Sequence, residues 1–272
     1  MATRHSAPDT KPEHRRFSPG AIDYDGVISA NYRAGRALSS ETAETWLSVV
    51  KPFVETAQPL IILDLGAGTG RFAELFAKSF SVQVIAVEPS RGMLDTAAGS
   101  QGSPRIAYVA GTAENLPLGD KSCDVAWLSQ VFHHIRDRRA CARELRRVLR
   151  PGGRVLIRGA FADRLDGFPT LFRFFPSTCL VCEDLPTTNQ ATAIFDAEGF
   201  TFEADRRIQQ QTCAGLREFA ERTRQRADTA LALISDEEFA QGLAALEGAA
   251  AQERETSPVL ETLDLLVFRA VS

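Results

Sequence analysis

Between Leu60 and Arg158, short apolar runs alternate with stretches whose apolar positions recur every three or four residues. The runs are Leu60–Asp64 (LIILD), Gln83–Glu88 (QVIAVE), Arg105–Ala110 (RIAYVA), Cys123–Leu128 (CDVAWL) and Gly153–Arg158 (GRVLIR), the last announced by the turn residues Pro151-Gly152-Gly153. Their length and β-branched content predict strands. Because they are apolar throughout, they fit a sheet covered on both faces. Arg71–Lys78 and Asp137–Leu149 read as helices, the second carrying Ala140, Cys141, Leu145, Val148 and Leu149 on one stripe and arginines on the other. Strand and helix in alternation imply parallel pairing through right-handed crossovers. Upstream, Ser39-Ser40-Glu41 opens a helix bearing Ala43, Trp46, Leu47 and Val50, which Pro52 limits. Downstream come a helix over Asn189–Glu198, a strand over Gly199–Ile208, a long helical stretch from about Gly215 to Gln252, and a strand-like run Leu260–Ala270. The expected fold is α/β: a seven-stranded, mostly parallel sheet with an antiparallel edge strand and helices on both faces.

The chain's 272 residues suffice for one large domain with an elaborated cap. Residues 1–20 read as a flexible leader without an apolar signal core, 21–58 as an N-terminal helical segment, and 59–272 as the main domain with cap segments at about 160–190 and 214–256. A net charge of -4 gives no basic footprint for nucleic acid, and no run approaches the length of a membrane span. Five irregularly spaced cysteines suit a reducing cytoplasm. Cys179-Leu-Val-Cys182 lacks a second pair or a following histidine, so it reads as two packed thiols and no metal site is expected.

The chemistry begins at LDLGAGTG (63–70), where Gly66, Gly68 and Gly70 follow the first strand. Glycine there lets the backbone approach a ligand closely, and in open α/β sheets ligands lie beyond the carboxyl ends of the strands. A dinucleotide site spaces its glycines GxGxxG over a pyrophosphate. Here the spacing is GxGxG, and the carboxylate of Asp64 precedes it. That favours a ligand with a cationic head. The second strand ends in Glu88, placed to accept hydrogen bonds from ribose hydroxyls. Together they ask for a nucleoside with a cationic, unphosphorylated tail, a description that S-adenosylmethionine meets.

Five segments in order, LDLGAGTG (63–70), VEPSRGML (87–94), GTAENLPL (111–118), CDVAWLSQVFHHI (123–135) and ELRRVLRPGGRVLI (144–157), resemble the class I S-adenosylmethionine-dependent methyltransferases, in the branch of ubiquinone/menaquinone-biosynthesis and natural-product enzymes. The resemblance covers roughly residues 60–160 and implies a Rossmann-like fold with an N-terminal helical lid and a helical, aromatic cap. It implies that Asp64, Gly66, Ala67 and Gly68 surround the methionine part of the cofactor, and that Glu88 and Pro89 lie at the ribose. Met93, Thr112, Ala113 and Glu114 would border the adenine, and Ser129 and Gln130 the sulfonium. Many relatives carry Asp where this chain has Thr112. In the lid, Tyr24 and Tyr32 would line the transfer site, and Arg33 or Arg36 would pair with the methionine carboxylate.

His133 and His134 follow the fourth strand at the carboxyl edge, and histidine is suited to take a proton near neutral pH. They and Tyr24 are the catalytic candidates, His134 foremost. The segment 159–181 (GAFADRLDGFPTLFRFFPSTCLV) clusters Phe161, Phe168, Phe172 and Phe175, an apolar wall for a hydrophobic small-molecule acceptor. An alkene acceptor would call for aromatic faces to stabilise a cation, a hydroxyl or amine for a base; carbon, oxygen and nitrogen all stay open. The competing readings are a nicotinamide-dependent oxidoreductase and a non-catalytic S-adenosylmethionine-binding regulator.

Overall fold

The computed structural model describes residues 17–18, 38–54, 60–99 and 103–271. The leader and the greater part of the expected lid, including Tyr24, Tyr32, Arg33 and Arg36, lie outside the described residues.

Helix α1 (Ser40–Val54) precedes a run of alternating units: β1 (Ile61–Leu65), α2 (Arg71–Ser79), β2 (Gln83–Glu88), α3 (Arg91–Ala98), β3 (Ile106–Ala110), β4 (Cys123–Ser129), α4 (Arg138–Val148) and β5 (Leu149–Gly159). Then come α5 (Pro169–Phe174), α6 (Ser177–Cys182), α7 (Thr188–Ala197), β6 (Phe200–Cys213), α8 (Leu216–Thr223), α9 (Thr229–Leu233), α10 (Asp236–Gln252) and β7 (Val259–Ala270). The seven strands form one sheet in the order β3-β2-β1-β4-β5-β7-β6. Strands β1 to β5 pair in parallel, and β7 runs antiparallel to both β5 and β6.

Side chains alternate between two faces, as the two-residue period of a strand requires. Ile62, Val125, Trp127, Leu156, Leu265 and Val267 enter one core with α1, α2 and the cap helices. Leu63, Leu65, Ala126, Leu128, Val155, Ile157, Leu266 and Phe268 enter the other, with α4 and α7. Each buried apolar side chain contributes about 1.5–3 kcal/mol, so the two-sided burial of these strands dominates the domain's stability.

The mostly parallel architecture is as expected, with three adjustments. The antiparallel strand β7 lies one place in from the edge and β6 forms the edge itself. The reason is burial: β7 is covered along its second half, whereas β6 carries exposed Glu203, Arg206 and Arg207 that protect an edge from further pairing. The helical stretch after Gly215 is three helices. Asp228 and Ser235 act inside it as N-caps, accepting from Ala230 N–H (2.8 Å) and Glu238 N–H (3.1 Å). Helix α1 runs past Pro52 to Val54, burying Thr42, Trp46, Val50 and Phe53 while Ala43 and Leu47 stay half-buried. Pro52 falls in its last turn, where the missing N–H costs one hydrogen bond.

The chain leaves β1 toward β2 and β3, then returns to place β4 on the other flank of β1. That reversal opens a crevice at the carboxyl ends of β1 and β4, the switch point at which such sheets bind ligands.

Candidate functional site

Asp64, at the end of β1, begins the site. Gly66, Gly68 and Gly70 follow with φ of 68°, 56° and 78°, a left-handed path that side chains resist. At Gly66 a Cβ would also stand 2.3 Å from Val131 Cγ2. The turn is pinned to β2: Gly66 N–H (2.8 Å) and Ala67 N–H (3.2 Å) both donate to the Val87 carbonyl. Glu88 is buried, its Oε2 accepting from Gly68 N–H (2.9 Å) and its Oε1 from Ser90 N–H (3.0 Å). The Ser90 hydroxyl then caps α3 through Met93 N–H (3.1 Å), fixing buried Met93 beside the end of β2.

Asp64 is 2 % exposed and its Oδ2 makes no hydrogen bond. Burial pushes its pKa up to about 7, against the pull of Arg71 and a hydrogen bond from the Ala73 backbone, with the Glu88 charge adding to the rise. A carboxylate stripped of water in this way calls for a cationic donor to hold its charge.

On the far side of the crevice β4 ends in Ser129, followed by Gln130. Gln130 is a non-glycine residue at φ 56°, held by donation from its N–H to the Arg158 carbonyl (2.7 Å), and its Oε1 is buried without a hydrogen bond. Arg158 is itself 3 % exposed. It donates to Ser129 Oγ (3.0 Å) and Gln210 Oε1 (2.8 Å), and its guanidinium lies over Trp46 (4.6 Å) and Phe72 (5.3 Å).

Two cavities meet at this point. One, of about 670 Å³ counting its mouth, takes its walls from Phe17, Phe168, Val181 and Leu185 together with His133 and His134. The other, of about 820 Å³, is lined by Arg71, Arg158 and Arg222 with Gln210, Thr42 and Phe219. Gln130, Leu171, Asp228 and Glu261 line both. The two imidazoles lie 4.1 Å apart, with the Phe17 ring edge-on at 5.4 and 5.7 Å, and His134 Nε2 is 3.4 Å from the Thr229 hydroxyl.

Comparison with known proteins accounts for this geometry. Residues 63–157 match the family model described as a methyltransferase domain. A demethylmenaquinone methyltransferase of Paenarthrobacter aurescens is 35% identical over 137 residues, 50% of this chain and 53% of that protein. A malonyl-[acyl-carrier protein] O-methyltransferase of Methylococcus capsulatus is 34% identical over 141 residues, 51% and 48% of the two chains. Residues 63–157 thus resemble a methyltransferase domain, set in a Rossmann-like fold. The chain spans about half the length of these curated relatives. The fold has solved counterparts in the [4+2]-cyclase SpnF (TM-score 0.63, 20% identity, 91% of this chain and 93% of that one) and in a phosphoethanolamine N-methyltransferase of Haemonchus contortus bound to S-adenosylhomocysteine (TM-score 0.58, 19% identity, 94% and 62%).

The residues present suit S-adenosylmethionine. The unsatisfied Asp64 oxygen suits its ammonium group, the buried carboxylate of Glu88 its ribose hydroxyls, and the side-chain-free turn its close approach. Other expected contacts divide. Ala67, Ala113 and Met93 are buried near the turn and strand ends, whereas Pro89 and Thr112 are exposed. The Glu114 Oε1 atom accepts from the backbone of Arg136 (3.1 Å) and Asp137 (3.4 Å), tying its loop to the start of α4. Of the four phenylalanines, only Phe168 lines either cavity. Phe161 is packed in the core on the opposite face of the sheet, and Phe175 is enclosed against Phe239 of α10. Phe172 packs half-buried against Phe168. These rings stand on different segments, Phe161 in the loop after β5 and Phe168 and Phe175 flanking α5, so they enter different cores.

The residues that the motifs did not single out are Arg158, Gln210, Asp228 and Glu261. Arg158 had a signal, a charge inside the apolar run VLIRGAF. The others come from β6, β7 and the cap, distant in sequence. Arg147, on the arginine face of α4, is more than a solvated charge: it donates to the carbonyls of Leu116 (3.0 Å) and Leu118 (2.7 Å) and anchors the loop before β4. Among the described residues no helix is long and apolar enough to cross a membrane, and no cluster of His, Cys, Asp or Glu is arranged to hold a metal ion.

Proposed function

We propose that the protein transfers a methyl group from S-adenosylmethionine to an apolar small molecule seated in the cavity beside His133 and His134. The observation that carries this reading is the buried Asp64 oxygen without a hydrogen bond, at the mouth of a glycine turn tied to Glu88. When bound, S-adenosylmethionine supplies a methyl carbon made electrophilic by its sulfonium. The chain's residues do the rest. Asp64 receives the ammonium and Glu88 the ribose, while Met93 and Ala113 flank the adenine. Ser129 and Gln130 border the reacting end. Arg158, stacked on Trp46 and Phe72, keeps Ser129 and Gln210 in place.

The apolar cavity orients the acceptor and excludes water, and proximity of this kind lowers a barrier by several kcal/mol. Where the accepting atom carries a proton, His134 removes it, and the Thr229 hydroxyl 3.4 Å away helps to hold the ring. All five cysteines are free thiols, which fits action in a reducing cytoplasm.

Thermal-shift titration with S-adenosylhomocysteine and with NADH tests the cofactor, and transfer of a labelled methyl group to a panel of apolar acceptors tests turnover. Stabilisation by the first nucleoside alone, with label in an acceptor, is the expected outcome. Stabilisation by NADH instead would refute the cofactor assignment; binding without any transfer would leave a regulator in place of an enzyme.

A further inference from the structure

Two buried polar atoms of opposite hydrogen-bonding sense stand on neighbouring strands just before the glycine turn. Among the described residues, Oδ2 of Asp64 on β1 accepts no hydrogen bond and the indole N–H of Trp127 on β4 donates none. Asp64 and Trp127 are register partners in the parallel β1–β4 pair. They share a face of the sheet, since Ile62 and Val125, each two residues earlier, enter the same core as Trp127. Asp64 is 2 % exposed and Trp127 is fully buried. We infer that Trp127 is a positioning residue for Asp64: its indole N–H serves the free carboxylate oxygen and fixes the direction in which that oxygen meets the ammonium group of the bound nucleoside.

The surroundings of Trp127 leave Asp64 as the acceptor. Its ring is enclosed by Trp46, Phe72 and Phe76, with centroids at 6.0, 5.0 and 5.4 Å, none of which has a carbonyl or hydroxyl oxygen on its side chain. Trp46 donates its own N–H to Gln210 Oε1 at 2.7 Å. On the flank away from β1 the register partner of Trp127 is Leu156 of β5, whose side chain is apolar. An indole can only donate and an ionised carboxylate can only accept, so the two match. Adjacent strands stand about 4.8 Å apart, a gap that one bridging water or a small turn of either side chain closes. Joined, both groups recover a hydrogen bond that burial otherwise denies them. A carboxylate oxygen has two lone pairs, so one serves the indole while the other serves the ammonium. A donor to the ionised form also favours that form. Trp127 therefore acts in the same sense as Arg71 of α2 and the Ala73 N–H, and against burial and the Glu88 charge of β2. The same face of β5 carries Arg158, whose guanidinium lies over Trp46 and Phe72.

The inference rests on the proposed function only in naming the ammonium as the group that Asp64 receives; the pairing itself is tested without ligand. The chain has two tryptophans, so its indole N–H signals in nitrogen-labelled protein are two, and Trp46→Phe or Trp127→Phe assigns them. In the ligand-free full chain the Trp127 signal is expected to move with pH about a midpoint of about 7, and to lose that titration in Asp64→Asn. Calorimetry then joins the pair to binding. Trp127→Phe should weaken S-adenosylhomocysteine about five-fold near neutral pH and raise the midpoint of the affinity-against-pH curve. In the Asp64→Asn background the same substitution should change affinity by less than about two-fold. A ring that merely packs would weaken binding equally in both backgrounds and leave the midpoint in place. That outcome, an indole signal that does not titrate, or one that titrates unchanged in Asp64→Asn would overturn the inference. The indole titration decides it should Trp127→Phe not fold. Failure of S-adenosylhomocysteine to bind would strike the methyl-transfer reading and leave the pairing to be judged by the indole signal.

Discussion

From Asp64 to Glu88 the site is made largely of backbone: three glycines at positive φ, two N–H groups on the Val87 carbonyl, and a carboxylate gripped by two more. The two cavities proposed to hold the acceptor are made of side chains, drawn from α1, α2, β5, α5, α6, β6, α8, α9 and β7 and the loop after β4. The first region is one short continuous stretch of chain, and we propose that it serves a constant ligand. The second is assembled from segments far apart in sequence and is free to vary with the acceptor. A site that depends on backbone path needs particular residues at particular spacings. A cleft needs only the right chemistry on its walls, which many sequences supply. The family match accordingly covers residues 63–157 and not the cap.

The contrast breaks most sharply at glycine. Gly66→Val places a Cβ at φ 68° against Val131, and should cost about 2–3 kcal/mol of stability and abolish S-adenosylhomocysteine binding. Gly242 in α10 is as crowded, a Cβ there meeting the Phe174 carbonyl at 2.5 Å. Gly242→Val should lower the melting temperature similarly yet leave nucleoside affinity within about two-fold, because distant sites act independently. Melting curves paired with calorimetry check both; loss of nucleoside binding in the Gly242 variant would show that the two regions are one unit.

Next in size is His134→Gln. If the acceptor presents O–H or N–H, single-turnover methyl transfer should slow by about 10²-fold with nucleoside affinity unchanged. An unchanged rate would remove the imidazole from the chemistry. Glu88→Gln follows: a charge-assisted contact is worth about 2 kcal/mol, so S-adenosylhomocysteine should bind about 30-fold more weakly, and adenine without its ribose should be unaffected.

These two regions also explain what the chain reveals before its structure. The glycine spacing, Asp64 and Glu88 are legible because each depends on near neighbours. The strands are legible because two-sided burial leaves apolar runs with little ambiguity. Strand β6 runs on to Cys213, past the Ile208 at which the sequence pattern ends, because an exposed edge has no such run. Phe161 and Phe175 read as pocket walls because composition shows that aromatics are present but not which side of the sheet, or which helix, encloses them. Asp228 is legible as a helix start in principle; its place between the cavities depends on where the cap folds back.

The central claim is that Asp64 holds the cationic end of the cofactor. Buried, it keeps its proton to about pH 7, whereas in the unfolded chain it would lose it near the ordinary value of 3.8. Native protein therefore binds the extra proton between those values, so Asp64's contribution to stability is fully present at low pH and is lost as pH rises through about 7. A ligand ammonium needs the deprotonated form and must displace that proton. The direct measurement is calorimetric affinity for S-adenosylhomocysteine at about pH 6 and about pH 8 in the unaltered protein and in the Asp64→Asn variant. The predicted result is affinity about ten-fold weaker at the lower pH in the unaltered protein, with the variant binding weakly at both. Equal affinity in the two proteins, with the same response to pH, would contradict it.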